Sequence, residues 1–155
     1  MGRMYTFEFT RAHTATGDLF QIIPGTEKPI LIHAIYLSQN TEVGDSGEEM
    51  VRVEITRNYD TDATGGGSAP NAVPLDANDA ADSATITEGN TTDATGGSPV
   101  ILHTESFNVR TGWAYIPTPE MRPRCDLGDQ NLVLELASLT DASITFDCTV
   151  YFEEL

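Results

Sequence analysis

The chain has 155 residues, 24 acidic against 8 basic side chains and a formal net charge of −16. At this length and with 39% hydrophobic residues it reads as one soluble globular domain spanning 1–155, large enough to fold without a staple. So anionic a surface repels phosphate backbones and anionic lipid, and no apolar run approaches the roughly 20 residues that cross a bilayer, so neither nucleic acid nor membrane is an expected partner.

Nearly every patterned segment has a period of two, the signature of a strand with one face buried. Tyr5, Phe7 and Phe9 alternate with Thr6, Glu8 and Thr10. This opening lacks the continuous apolar stretch of a secretory leader, which points to synthesis in a cytoplasm. Residues 18–23 form a second candidate, closed by Pro24 and Gly25. Residues 29–37 are apolar on both faces and read as a central strand. Val51, Val53 and Ile55 alternate with polar partners, and 83–87 is a weaker candidate. Residues 99–108 and 112–117 follow, then Leu132, Leu134 and Leu136. The clearest pattern comes last, with Ile144, Phe146, Cys148, Val150 and Phe152 on one face.

Eight or nine short strands with turn signals between them, and no amphipathic helix, predict an all-β fold. We expect an antiparallel β-sandwich of jelly-roll type with long Gly/Asp-rich loops. The nearest thing to a helix is Pro74–Asp82, one turn with Asp76 as its cap. Residues 58–98 read as a long loop region interrupted only by the weak strand near 83–87. Within it Thr61-Asp62-Ala63-Thr64-Gly65-Gly66 recurs as Thr92-Asp93-Ala94-Thr95-Gly96-Gly97. The echo has two readings: shared loop composition, or two loops doing matched jobs at one end of the sandwich.

Chemistry-bearing patterns are sparse. His13, His33 and His103 are the only imidazoles, and none has another ligand type at a metal-binding interval. Buried or interface histidines bonded to backbone are the expectation for them. Asp60-Thr61-Asp62-Ala63-Thr64-Gly65 matches the opening of a calcium loop. Its twelfth position is Asn71 instead of a bidentate glutamate, so a solvated acidic loop is expected. Gly67-Ser68-Ala69-Pro70 lacks the second glycine of a nucleophile elbow, and no phosphate-cradling loop precedes the single lysine, Lys28. Cys148 falls on the apolar face of its strand and Cys125 in a turn, and both are expected as free thiols. No catalytic residue, metal or cofactor is expected.

The seven arginines stand out in so acidic a chain. Arg110, Arg122 and Arg124 flank Trp113, Tyr115 and Met121, and such residues are enriched at interface anchors. The competing reading puts Trp113 and Tyr115 in the core and pairs the arginines with nearby acids. The Arg3–His13 segment, with Arg3, Tyr5, Arg11 and His13, is a second candidate, a positively charged strand or arm that could add to a partner's sheet. The candidate interface residues are therefore Arg3, Tyr5, Arg11, His13, Arg110, Trp113, Arg122 and Arg124.

The segments Pro29–Gln39, Glu49–Arg57 and Glu105–Trp113, with the closing Val150-Tyr151-Phe152-Glu153-Glu154-Leu155, resemble the small, acidic, all-β head decoration (cement) proteins of tailed phages and prophages. The resemblance spans most of the chain through overall pattern, and 58–98 is its least similar part. It implies a virion component on the outer capsid surface, a homotrimer docked on the major capsid protein. The arginines and the N-terminal arm would then face the shell. The rival expectations are a tail, neck or fibre component, a carbohydrate-binding sandwich, or an enzyme on a jelly-roll scaffold.

Overall fold

A computed structural model describes residues 2–41, 49–126, 131–139 and 143–155. Its strands are β1 (Arg3–His13), β2 (Gly17–Ile23), β3 (Ile30–Gln39), β4 (Met50–Arg57), β5 (Val73–Pro74), β6 (Thr85–Glu88), β7 (Val100–Asn108), β8 (Trp113–Tyr115), β9 (Arg124–Cys125), β10 (Leu132–Ser138) and β11 (Ile144–Glu154). Two antiparallel sheets pack face to face as a β-sandwich. One runs β5-β1-β11-β3-β8, with β9 also paired to β3, and the other runs β6-β2-β10-β4-β7.

The period-two segments become strands because alternate side chains must enter the gap between the sheets. β11 shows this without interruption, every second residue from Ile144 to Glu154 being buried. Rings meet across the gap, where Phe7 on β1 stands edge-on to Phe20 on β2 at 5.4 Å, and within one sheet, where Tyr5 stacks on its cross-strand partner Phe152 at the same separation. At the far edge Phe107 on β7 stacks with Trp113 on β8 at 6.3 Å. So β1 lies over β2 and β7 beside β8, which leaves the sandwich two lateral edges, one made by β5 and β6, the other by β7, β8 and β9. Each fully buried aromatic or aliphatic side chain contributes about 1.5–3 kcal/mol through removal from water.

Four features differ from expectation. The N-terminal segment is no arm: β1 pairs with β11 from Arg3↔Glu154 to His13↔Ile144 and with β5 on its other side, so it lies inside the sheet. The two-residue strands β5 and β9 are too short to leave a periodic trace in sequence. No α-helix occurs among the described residues, and only Pro119–Met121 forms a single 3-10 turn. At Pro74–Asp82, Asp76 accepts the Asn78 amide at 3.0 Å in a local turn. Tertiary bonds hold the rest open: Leu75 N–H to the Met4 carbonyl, Tyr5 hydroxyl to the Ala80 carbonyl, and Ser83 N–H to Glu154. Last, His33 and His103 bond carboxylates instead of backbone, at 2.8 Å from Glu153 and 3.1 Å from Glu105. Neither Cys125 nor Cys148 forms a disulfide, and both are buried.

Candidate interaction surface

The region 58–98 is tied down by its own echo. Thr61 and Thr95 exchange backbone hydrogen bonds at 2.9 and 3.0 Å, and Thr64 and Thr92 do so at 2.9 Å in both directions. The two copies of Thr-Asp-Ala-Thr-Gly-Gly therefore run antiparallel and are related by a local twofold. Their alanines do the same job. Ala63 N–H donates to Gln21 Oε1 at 2.9 Å and Ala94 N–H to Asp18 Oδ2 at 2.7 Å, both acceptors lying on β2. Ala63 and Ala94 are buried with Val133 of β10, and Tyr59 packs beside them. Val133 alternates with Leu132 and Leu134, which belong to the main core, so the paired loops cap the outer face of the β2–β10 sheet. The loops do work as a pair, but over a sheet face instead of one end of the sandwich.

This cap encloses polar groups. Burial pushes the Asp18 carboxyl up to about 7, with Asp93 and Glu135 nearby adding to the shift and the Ala94 amide opposing it. Tyr59 donates to Glu135 at 2.5 Å, and burial with that bond raises the phenol well above its usual value. Asp62, second acid of the calcium-like stretch, accepts from Asn131 Nδ2 at 2.9 Å. No group of three or more His, Cys, Asp or Glu is placed to hold a metal among the described residues. Beside the cap, a cleft of about 350 Å³ is lined by Arg11, His13, Gly89 and Asp93. Burial lowers the His13 pKa, the Glu88 charge opposing it.

The eight candidate interface residues do not form one surface. Arg3, Tyr5, Arg11 and His13 lie on β1; Arg110, Trp113, Arg122 and Arg124 lie near the opposite edge. Two of them are corrections. Tyr5 is 0% exposed and Trp113 6%, so both are core residues. Trp113 Nε1 donates to Glu105 at 2.8 Å, which lets the indole bury its body and satisfy its one donor. Arg11 is half-buried and tied to the fold: its Nη2 donates to Glu88 Oε1 at 2.7 Å, and Glu88 is 4% exposed. Arg3 pairs with Asp79 at 3.4 Å.

No family model matches the chain, and neither a curated protein nor a solved structure matches it.

Two cations near β9 behave differently from the rest. Lys28, Arg52 and Arg124 each have a carboxylate within 4 Å, as Arg3 and Arg11 do. Arg57 and Arg122 have none among the described residues, and in each the Nε is enclosed without a hydrogen-bond partner. Among the described residues Arg57 hydrogen-bonds only the Arg124 carbonyl, at 3.0 Å. Around them stand exposed apolar side chains: Val100 at 44%, Ile101 at 55%, Ile116 at 64% and Met121 at 67%. An apolar patch rimmed by arginines has the composition of a protein-docking site. Sequence reasoning reached Arg122, Arg124 and Met121 here but missed Arg57, Ile101 and Ile116. The Arg57–Arg124 bond, the β4–β7 pairing and the Tyr115 ring against His103 at 4.7 Å bring these segments together.

Proposed function

We propose that this chain is a head decoration (cement) protein of a tailed phage, a homotrimer that binds the outer surface of the assembled major capsid lattice and stabilises it. The observation that carries this reading is the arginine-rimmed apolar patch at the β7–β9 edge, on a chain that is otherwise strongly anionic. The patch suits protein contact, and the anionic remainder suits a surface turned to solvent and away from packaged DNA. Seven long strands and the three-residue β8 pass from sheet to sheet in the pairs β1–β2, β3–β4, β7–β8 and β10–β11, which supports a jelly-roll reading of the sandwich.

The mechanism is mechanical. A protein that binds the closed lattice and not the loosened one stabilises it by mass action. Several weak contacts per trimer act together, so none needs to be strong. No cofactor enters. The N-terminal strand, being internal to its sheet, supplies structure and not a free arm for the shell.

Cosedimentation of the purified protein with empty heads, at increasing protein concentration, tests the reading. Saturable binding at a fixed ratio to the major capsid protein, with heads that then withstand heating better, is the expected result. Heads that sediment without it overturn the proposal. Tyr59 is the one aromatic in 58–98 and is engaged with Glu135, so binding to a glycan array is the outcome we expect not to see.

A further inference from the structure

We propose that copies of this chain join head to tail, the arginine-rimmed edge of one copy docking on the acidic β5 edge of the next. The inference deepens the trimer part of the proposed function and stands without any capsid.

The two edges are complementary in kind. On one side Val100, Ile101, Ile116 and Met121 are exposed beside Arg57, Arg122 and Arg124. On the other, Val73 at 47% and Leu75 at 53% are exposed, followed directly by Asp76, Asp79 and Asp82. Neither edge is uniform in charge: Glu120 and Asp126 sit on the first, and Arg3 pairs with Asp79 on the second. The balance is still opposite, because among the described residues Arg57 and Arg122 lack carboxylates and the Asp76 side chain bonds only within its own turn, to Asn78. In a chain of net charge −16, copies approaching by like acidic faces repel each other. The β7–β9 edge carries two cations, Arg57 and Arg122, with no carboxylate among the described residues, beside Arg124 paired with Asp126, so it favours an acidic counterpart and fixes the orientation of approach. The apolar side chains on both edges then supply the burial that charge alone does not.

The topology places both patches at the same height. The β-ladders run straight across one sheet, from Leu75 on Met4, to Arg3 opposite Glu154, to Glu154 opposite Ile30, to Ile30 opposite Cys125. The patches are thus at the same end of the sandwich and on opposite sides, roughly 19 Å apart at the usual strand spacing. Two different surfaces in contact make a heterologous interface. Such an interface closes into a ring, as a trimer requires, where each copy is also turned relative to the last about a common axis, and runs on as a filament where it is not. Because the surfaces lie on opposite sides, two copies cannot satisfy both at once.

Sedimentation equilibrium of the purified chain tests this, with thermal unfolding to confirm that each variant is folded. The wild type should have a mass of three or more times 16.8 kDa. Arg122→Glu with Arg124→Glu should reduce it to the monomer, as should Leu75→Arg with Asp76→Arg. The chain carrying all four substitutions should regain the wild-type mass, since each interface again joins opposite charges. A wild-type monomer or dimer would overturn the proposal. So would arginine variants that keep the wild-type mass, or a four-substitution chain that stays monomeric. An oligomer that ignores phage heads would leave this interface standing while sinking the shell reading, and a monomer that binds heads would do the reverse.

Discussion

Thr61 and Thr95 lie 34 positions apart and hold each other's backbone by two hydrogen bonds, of 2.9 and 3.0 Å. With the Thr64–Thr92 pair they turn the acidic centre of the chain into a lid over Val133, with Ala63 and Ala94 pressed beneath it. Four small residues make this possible. Gly65, Gly66, Gly96 and Gly97 all have positive φ, where a side chain is strained.

The glycines allow a graded test of the lid. At Gly66 (φ 87°) a methyl group on Cα would meet nothing within 4 Å, so Gly66→Ala should cost only the backbone strain, ~1 kcal/mol. Gly97 has φ 72°, and a methyl there would stand 2.6 Å from Asp60 Oδ1 and 2.9 Å from the Asn58 carbonyl. Gly97→Ala should therefore cost about 2–3 kcal/mol. Urea denaturation of both variants checks the order. Equal losses would mean the Gly97 turn is not packed as described.

Asp18 should impose a pH dependence on stability. Its carboxyl titrates at about 7 in the fold and at about 4 in an unfolded chain, so between these values the folded state holds the extra proton. The stabilisation is complete below pH ~4 and is lost as pH rises through 7. Asp18→Asn keeps an acceptor for the Ala94 amide and removes the titration. Relative to wild type, the variant should gain ~2 kcal/mol between pH 4 and pH 8, discounted for partial solvation. A difference in unfolding free energy that is flat with pH would show that Asp18 titrates normally.

Arg11 is expected to act in folding and not in docking. Arg11→Met leaves the Glu88 carboxylate buried without its partner and should cost about 2 kcal/mol, less than for a fully enclosed pair because Arg11 is partly exposed. Adding Glu88→Gln should recover much of the loss. The assembled mass should stay as in the wild type, and a fall to monomer would place Arg11 at the contact after all.

Both thiols should be inert in the native state. Burial pushes Cys125 up to about 12 and Cys148 higher still, and the thiolate is the reactive form. A disulfide-exchange reagent at pH 8 should label neither in native protein and both after denaturation in guanidinium. Rapid labelling of one thiol per native chain would reveal an opening of the β3–β9 edge.

Deleting residues 1–11 should abolish cooperative thermal unfolding, since it removes the central partner of β11 together with Phe7 and Phe9. A truncated chain that still melts in one transition would contradict the β1–β11 register.

The strands were legible because alternation is a local signal. Each of Tyr5, Phe7, Ile144 and Phe152 announces its face through neighbours two residues away, and the structure buries all four. Local signals also placed Cys148 in the core. Trp113 was ambiguous, because an indole with one donor suits a core or an interface equally. Its bond to Glu105, made eight residues upstream, decided the matter.

Length, charge and period were enough to determine an all-β chain with an anionic surface and its main core residues. Tertiary structure alone decided that the first strand lies inside its sheet, that the two echoed loops grip each other, and that Arg57 joins Arg122 and Arg124 beside Ile101 and Ile116. The physical reason is that a strand makes its backbone hydrogen bonds to neighbouring strands, partners its own sequence does not name. Which edges meet is settled only when the whole core closes.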